Sequence, residues 1–310
     1  LVAISTLVLT VLLFFLMPRG FFPVQDTGVI QGISEAKQST SFLAMADRQQ
    51  ALVKVILEDP AVESVSSFIG VDGTNATLNS GRMLINLKAL EERGINGTEV
   101  IQRLQAKLDQ VHGITLYLQP LQDLTLENRV SRNQYQLTLD STNREELSRW
   151  TTLLIYQLTK QSQFSRVSSD IQDQGLQAYV AIDRSTASRL GVSVAAIDNA
   201  LYDAFGQRIV STIFTQSNQY RVVLEVKPEY RQKLNDINAI RITSSNGAQV
   251  PLSTFATISE QSAPLVTNHL AQFPAATISF NLAPGAFLGE AIDAIEKAKL
   301  DIGLPLNVQA

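Results

Sequence analysis

A single order of strand-like and helix-like segments occurs twice in this sequence, and that repetition limits the folds open to it more than any motif. Residues 28–35 read as a strand. Ser39, Thr40 and Ser41 offer caps for a helix reaching residue 58, with Phe42, Met45, Leu52, Val53 and Ile56 on one face. Segments 62–69 and 83–90 are strand-like and flank a Gly/Asn/Ser-rich loop, 70–81. Thr98 can cap a second helix striped by Val100, Ile101, Leu104 and Leu108, and 114–118 makes a last strand. This β-α-β-β-α-β order is the split unit of ferredoxin-like domains. It restarts with a strand at 135–140, then a Thr142/Glu145 capping box before a helix carrying Leu147, Trp150, Leu154 and Leu158, then a strand at 164–171. It resumes only at 275–282, with a helix bearing Leu288, Ala291, Ile292 and Ile295 and a strand starting at 307. The intervening residues read as a strand, two short helices, a hairpin of 209–215 against 220–226, and further strands. The expected fold class is α+β. Two ferredoxin-like β-α-β-β-α-β subdomains lie at 24–125 and at 130–174 with 263–310, the second interrupted by an α+β subdomain at 175–262.

Residues 1–17 carry no charge, and as a helix they extend about 26 Å, a little short of the ~30 Å hydrocarbon core. A secretory signal would need a basic start and a small-residue cleavage site, whereas the first charge here is Arg19. The expectation is the C-terminal part of a transmembrane helix, and hence a piece of a longer chain. Pro18, Gly20 and Pro23 end it, and Phe14, Phe15, Phe21 and Phe22 suit an interfacial aromatic belt.

Charge and composition remove several functions. Formal net charge is −4, with no basic tract to neutralise phosphates, so nucleic acid is not an expected partner. Cysteine is absent, which excludes disulfides, thiolate zinc sites and a cysteine nucleophile. His112 and His269 are far apart, and methionine occurs only at 17, 45 and 83, so no metal or other cofactor is expected. No nucleophile elbow, P-loop or dinucleotide fingerprint occurs. Glu91-Glu92-Arg93 reads as a solvated turn. An enzyme is not expected. A protein that handles varied apolar compounds needs a large pocket with few convergent polar groups and no nucleophile.

The stretch Arg19-Gly20-Phe21-Phe22-Pro23-Val24-Gln25-Asp26-Thr27-Gly28 resembles the helix-to-porter junction, F-x-P-x-x-D-x-G, of resistance-nodulation-division (RND) exporters. Residues 59–65 (DPAVESV), 189–193 (RLGVS) and 204–208 (AFGQR) are similar to segments of that family, as are 70–75 (GVDGTN), 119–125 (QPLQDLT) and 218–225 (NQYRVVLE). The resemblance implies two porter subdomains and a docking subdomain, in the inner membrane of a bacterium with most of this chain in the periplasm. It implies a proton-driven exporter of amphiphilic compounds working as a trimer. The implied partners are a related second subunit, a periplasmic adaptor and an outer-membrane channel. The proton relay would lie on other helices.

Carried over position by position, the resemblance makes Val29, Gln31 and Ile33 line a cleft. Ser66, Phe68 and Leu84 would face an inner pocket, and Thr115, Tyr117 and Gln119 an entrance pocket, with Ser168 and Asp170 beside it. The loop 70–81 would be a switch loop, with Gly70, Val71, Gly73, Asn75 and Gly81 as its movable part. Better-known members carry phenylalanine where this chain has Ser66, Val71, Gly73 and Leu84. Each lost ring removes ~150–250 Å² of potential contact, so bile-salt-like ligands, or stronger binding by a paired subunit, are expected. Alternation equally suits strand positions packed beneath helices. A single-pass membrane-anchored scaffold and, within the family, a metal-ion exporter are the competing readings; scarce Met and His weigh against the second.

Overall fold

The computed structural model describes residues 2–16, 25–71, 77–122, 131–231, 233–283 and 285–310. They divide into two compact units, Leu1–Gln174 with Pro264–Ala310, and Gly175–Ala263.

The first unit begins with α1 (Val2–Leu16), uncharged and, where its side chains are described, exposed. Its 15 residues extend about 22 Å at ~1.5 Å each, and no helix of the described residues is long and apolar enough to cross a membrane. The expected membrane segment is thus an apolar helix but not a complete span. Phe21 and Phe22 of the expected belt lie outside the described residues.

The first repeat comprises β1 (Val29–Ala36), α2 (Phe42–Leu57), β2 (Val62–Ile69), β3 (Ser80–Leu87), the single turn α3 (Leu90–Arg93), α4 (Gly97–Leu108) and β4 (Ile114–Pro120). Its sheet runs β2-β3-β1-β4, antiparallel throughout. Alternate strand residues bury one face under the two long helices: Ile30, Met83, Ile85, Leu116 and Leu118 meet Met45, Leu52, Ile56, Val100 and Leu104. Ser41 caps α2 as expected. Asn96, not Thr98, caps α4, in a reciprocal capping box with Glu99.

The second repeat comprises β5 (Tyr135–Ser141), α5 (Arg144–Thr159) and β6 (Phe164–Ser169). After the second unit it is completed by β13 (Asn268–Leu270), β14 (Phe273–Leu282), α8 (Leu288–Ile302) and β15 (Val308–Gln309). β14 lies between β5 and β6, and β15 pairs with the far edge of β5, so β6-β14-β5-β15 reproduces the order of the first sheet. The short β13 extends the β6 side as a hairpin with β14. Leu139, Leu154, Leu158, Ile278, Phe280 and Ala291 form its separate core. The cap of α5 is Asn143, which accepts from the Glu145 and Glu146 amides, rather than Thr142.

The second unit contains β7 (Gly175–Ile182), α6 (Arg184–Arg189), α7 (Val194–Phe205), β8 (Arg208–Phe214), β9 (Gln219–Leu224), β10 (Arg241–Thr243), β11 (Gln249–Pro251) and β12 (Ala256–Ala263). Its strands pair as β7-β12, β8-β9 and β10-β11; a core of Ala187, Val192, Ile197, Ile242, Leu252 and Phe255 holds the unit, and the β8-β9 hairpin adds no residue to it.

Candidate functional site

Because the helices cover one face of the first sheet, strand residues of the other parity line the opposite face. In-register rows place the expected residues there. Ser66, Leu84, Gln31 and Gln119 form one row, and Phe68, Arg82, Ile33 and Tyr117 the next. Val29 lies opposite Asn86, and Thr115 opposite Glu35. All nine cleft and pocket positions therefore share the face turned away from α2 and α4, not the packed face beneath them. The β2–β3 half is open: Phe68 is 59% and Leu84 42% exposed. Tyr117 and Gln119 on β4 are half-buried.

The loop 70–81 is only partly as expected. Gly70 ends β2 at φ 94°, a left-handed conformation that glycine adopts without strain, and Val71 beyond it is exposed. Gly73 and Asn75 lie outside the described residues. Gly81 is no hinge; it is a paired, buried residue of β3 opposite Ser34 and Ile69. A Cβ there would stand 2.7 Å from the Phe68 carbonyl oxygen, 2.8 Å from Ser34 Oγ and 2.9 Å from Gln49 Nε2. Its bareness admits a buried polar chain, in which Ser34 Oγ donates to Gln49 Oε1 (2.6 Å) and Gln49 Nε2 to Ser67 Oγ (3.0 Å). The second stem of the loop is fixed as well, since Asn79 pairs with the Ala36 backbone in both directions.

The β4 edge meets the second repeat through polar groups. Arg132 forks onto Glu35 (Nε–Oε2 2.6 Å, NH2–Oε1 3.0 Å), and Gln172 Nε2 donates to the same carboxylate at 3.1 Å. Gln119 donates to the Ser131 carbonyl. Burial, aided by the Glu35 charge, pushes the Tyr117 hydroxyl above its usual range. Burial also works against the Arg132 charge, but Glu35 outweighs it and the guanidinium is held above its ordinary value. Asp170 is raised by burial although the Thr277 amide and Arg132 oppose the shift. Asn133, fully buried, ties Ser168, Ser279 and the Arg166 carbonyl together. None of Glu35, Arg132, Asn133 and Gln172 was singled out in the sequence, because no local pattern marks a pair 97 residues apart.

Among the described residues no group of three or more His, Asp and Glu side chains is placed to hold a metal ion. Met45 and Met83 are fully buried in the first core.

Among the solved structures that share this fold are two of one kind of protein. Each is a crystal form of a heavy metal efflux pump, matched at TM-score 0.85 with 20% identity over 99% of this chain, and at 0.84 with 22% identity over 97%. In both cases the chain spans 32% of the length of the protein it matches. The sequence pattern of one transporter family fits the chain over its whole length, residues 1–310: the chain belongs to the AcrB/AcrD/AcrF family, of the RND class of exporters.

Proposed function

We propose that this chain is the second periplasmic half of one subunit of a proton-motive-force-driven multidrug exporter, most like the multidrug resistance protein MdtB. The two ferredoxin-like repeats act as porter subdomains and the interrupting unit as a docking subdomain. The whole pump is a trimer, in which this subunit stands beside a related MdtC-like subunit. An MdtA-like adaptor and a TolC-like outer-membrane channel receive what it exports. The resemblance at 70–75, 119–125 and 218–225 supports this subunit identity.

The observation that carries the reading is the open half of the first sheet face. Phe68 and Leu84 offer apolar surface there, continued by the half-buried Ile33 on β1, with Ser66, Gln31 and Arg82 as the polar groups among them. Broad apolar contact with a few hydrogen-bonding groups suits amphiphilic drugs and bile-salt-like compounds. A metal-ion cargo is the second reading, favoured by the fold shared with a heavy metal efflux pump. The burial of Met45 and Met83 weighs against it, since neither thioether reaches this face. The stretch from Val71 through Gly73 and Asn75 acts as the gate, with Gly70 and Gly81 at its fixed ends.

The test is export by the full-length pump in cells lacking other exporters. A bulky residue at Gly73, or paired prolines between Gly70 and the Asn79 stem, abolishes resistance to amphiphiles while trimers still assemble. Normal susceptibility patterns in such mutants would remove the gate, and resistance to metal ions alone would favour the second reading.

A further inference from the structure

The two repeats of the first unit have separate hydrophobic cores. No residue belongs to both clusters, the first ending with Leu118 and the second starting with Leu139. Polar contacts join the two repeats. Besides the Arg132–Glu35 fork, Arg166 reaches Asp109 at 3.1 Å and the Gln174 amide donates to Gln38 Oε1. Two bodies joined this way separate at modest cost, because water replaces each lost hydrogen bond and no continuous apolar core is torn. The Glu35–Arg132 pair is the exception. Its side chains are only 20% and 15% exposed, the fork satisfies both carboxylate oxygens, and Gln172, 5% exposed, adds a third donor.

We propose that Glu35 and Arg132, with Gln172, form a latch that holds the β4 edge of the first sheet shut against the second repeat. The latch sits at the end of β1, in register with Thr115 on β4. Closed, it keeps Gln119 engaged with Ser131, while Phe68 and Leu84 across the sheet stay exposed. Ligand therefore has access to the β2–β3 half in this state, and reaches the β4 half only after the fork breaks. Its role in access rests on the exporter reading, whereas the latch itself does not.

These 310 residues hold no cysteine, so the test needs only that any thiol elsewhere in the full-length protein be replaced first. Gln38→Cys with Gln174→Cys places one thiol on each side of the joint, in the full-length protein in membrane vesicles. The rate of bridging by a short-armed bifunctional maleimide reports how often the joint is closed. Glu35→Gln and Arg132→Met should each slow bridging by about tenfold, a modest effect for truncating a hydrogen-bonded charge pair because both groups keep some solvent contact. Gln172→Leu, a milder change, should slow it by about threefold, and the exchange of Glu35→Arg with Arg132→Glu should bring the rate back to within about twofold. Bridging at the starting rate in all single variants, or an exchange no better than the singles, overturns the latch whatever the protein exports. Slowed bridging with unchanged export of amphiphiles overturns its role in access.

Discussion

Alanine at Gly81 tests whether this residue is bare for packing or for flexibility. The added methyl would lie within 3.0 Å of three atoms, and the tightest, the Phe68 carbonyl oxygen at 2.7 Å, belongs to the backbone of the paired strand β2. A side chain can swing aside, but that carbonyl moves only with the β2–β3 ladder. Overpacking of this kind costs ~1–3 kcal/mol. Displacing Gln49 from Ser34 loses one buried hydrogen bond, about 1 kcal/mol more. The sum, about 2–4 kcal/mol, is removed from local opening, so amide exchange across β2 and β3 should quicken by roughly 30- to 700-fold. Hydrogen–deuterium exchange with mass spectrometry reads it, with β5 and β14 of the second repeat as the internal reference that should not change. Adding Gln49→Ala relieves one neighbour and leaves the carbonyl, so it should not restore the slow exchange. Exchange within about twofold of wild type for Gly81→Ala, or full recovery in the double variant, would refute the packing account and return Gly81 to the loop.

Two further changes probe how the first repeat is tied together. Asp59 is a buried carboxylate that takes the Arg103 fork (2.8 and 2.5 Å) and the Ala61 amide. Asp59→Ala should lower the stability of the first repeat by about 2 kcal/mol, less than a fully buried pair because Arg103 is 40% exposed and can rehydrate. The same exchange measurement checks it. Asp26 accepts from the Arg93 side chain and from the Gly28 and Gly97 amides; burial pushes its carboxyl up, but these donors together hold it below the ordinary value. Its contribution to stability is therefore complete above the unfolded-state pKa of about 3.9 and is lost as pH falls through the lower folded-state value. Asp26→Asn should cost about 1 kcal/mol at neutral pH and remove that acid-side loss, read as denaturation midpoints between about pH 7 and about pH 2.

The repeat and its strand parity were legible in the sequence because both depend on local periodicity. Alternation alone puts Ile30, Gly32 and Ser34 on one side of β1 and Val29, Gln31 and Ile33 on the other, and helix stripes such as Val100, Leu104 and Leu108 follow from 3.6 residues per turn. The helix caps at Asn96 and Asn143 were less legible, since several polar residues near each start compete for one amide and the backbone decides which is placed to accept. Asp26 drew notice as part of a motif. Its physical task, an acceptor for the first amide of α4, appears only when the chain brings residues 71 apart together.

The sequence by itself settled which strand or helix residues share a face, because a side chain's direction is set by backbone geometry within a few residues; which strand face lies beneath the helices it left open. Tertiary structure alone decided that Gly81 must be bare and that Glu35 meets Arg132. Each of those depends on which distant backbone segments come within a few ångströms of one another, and no local pattern of residues carries that distance.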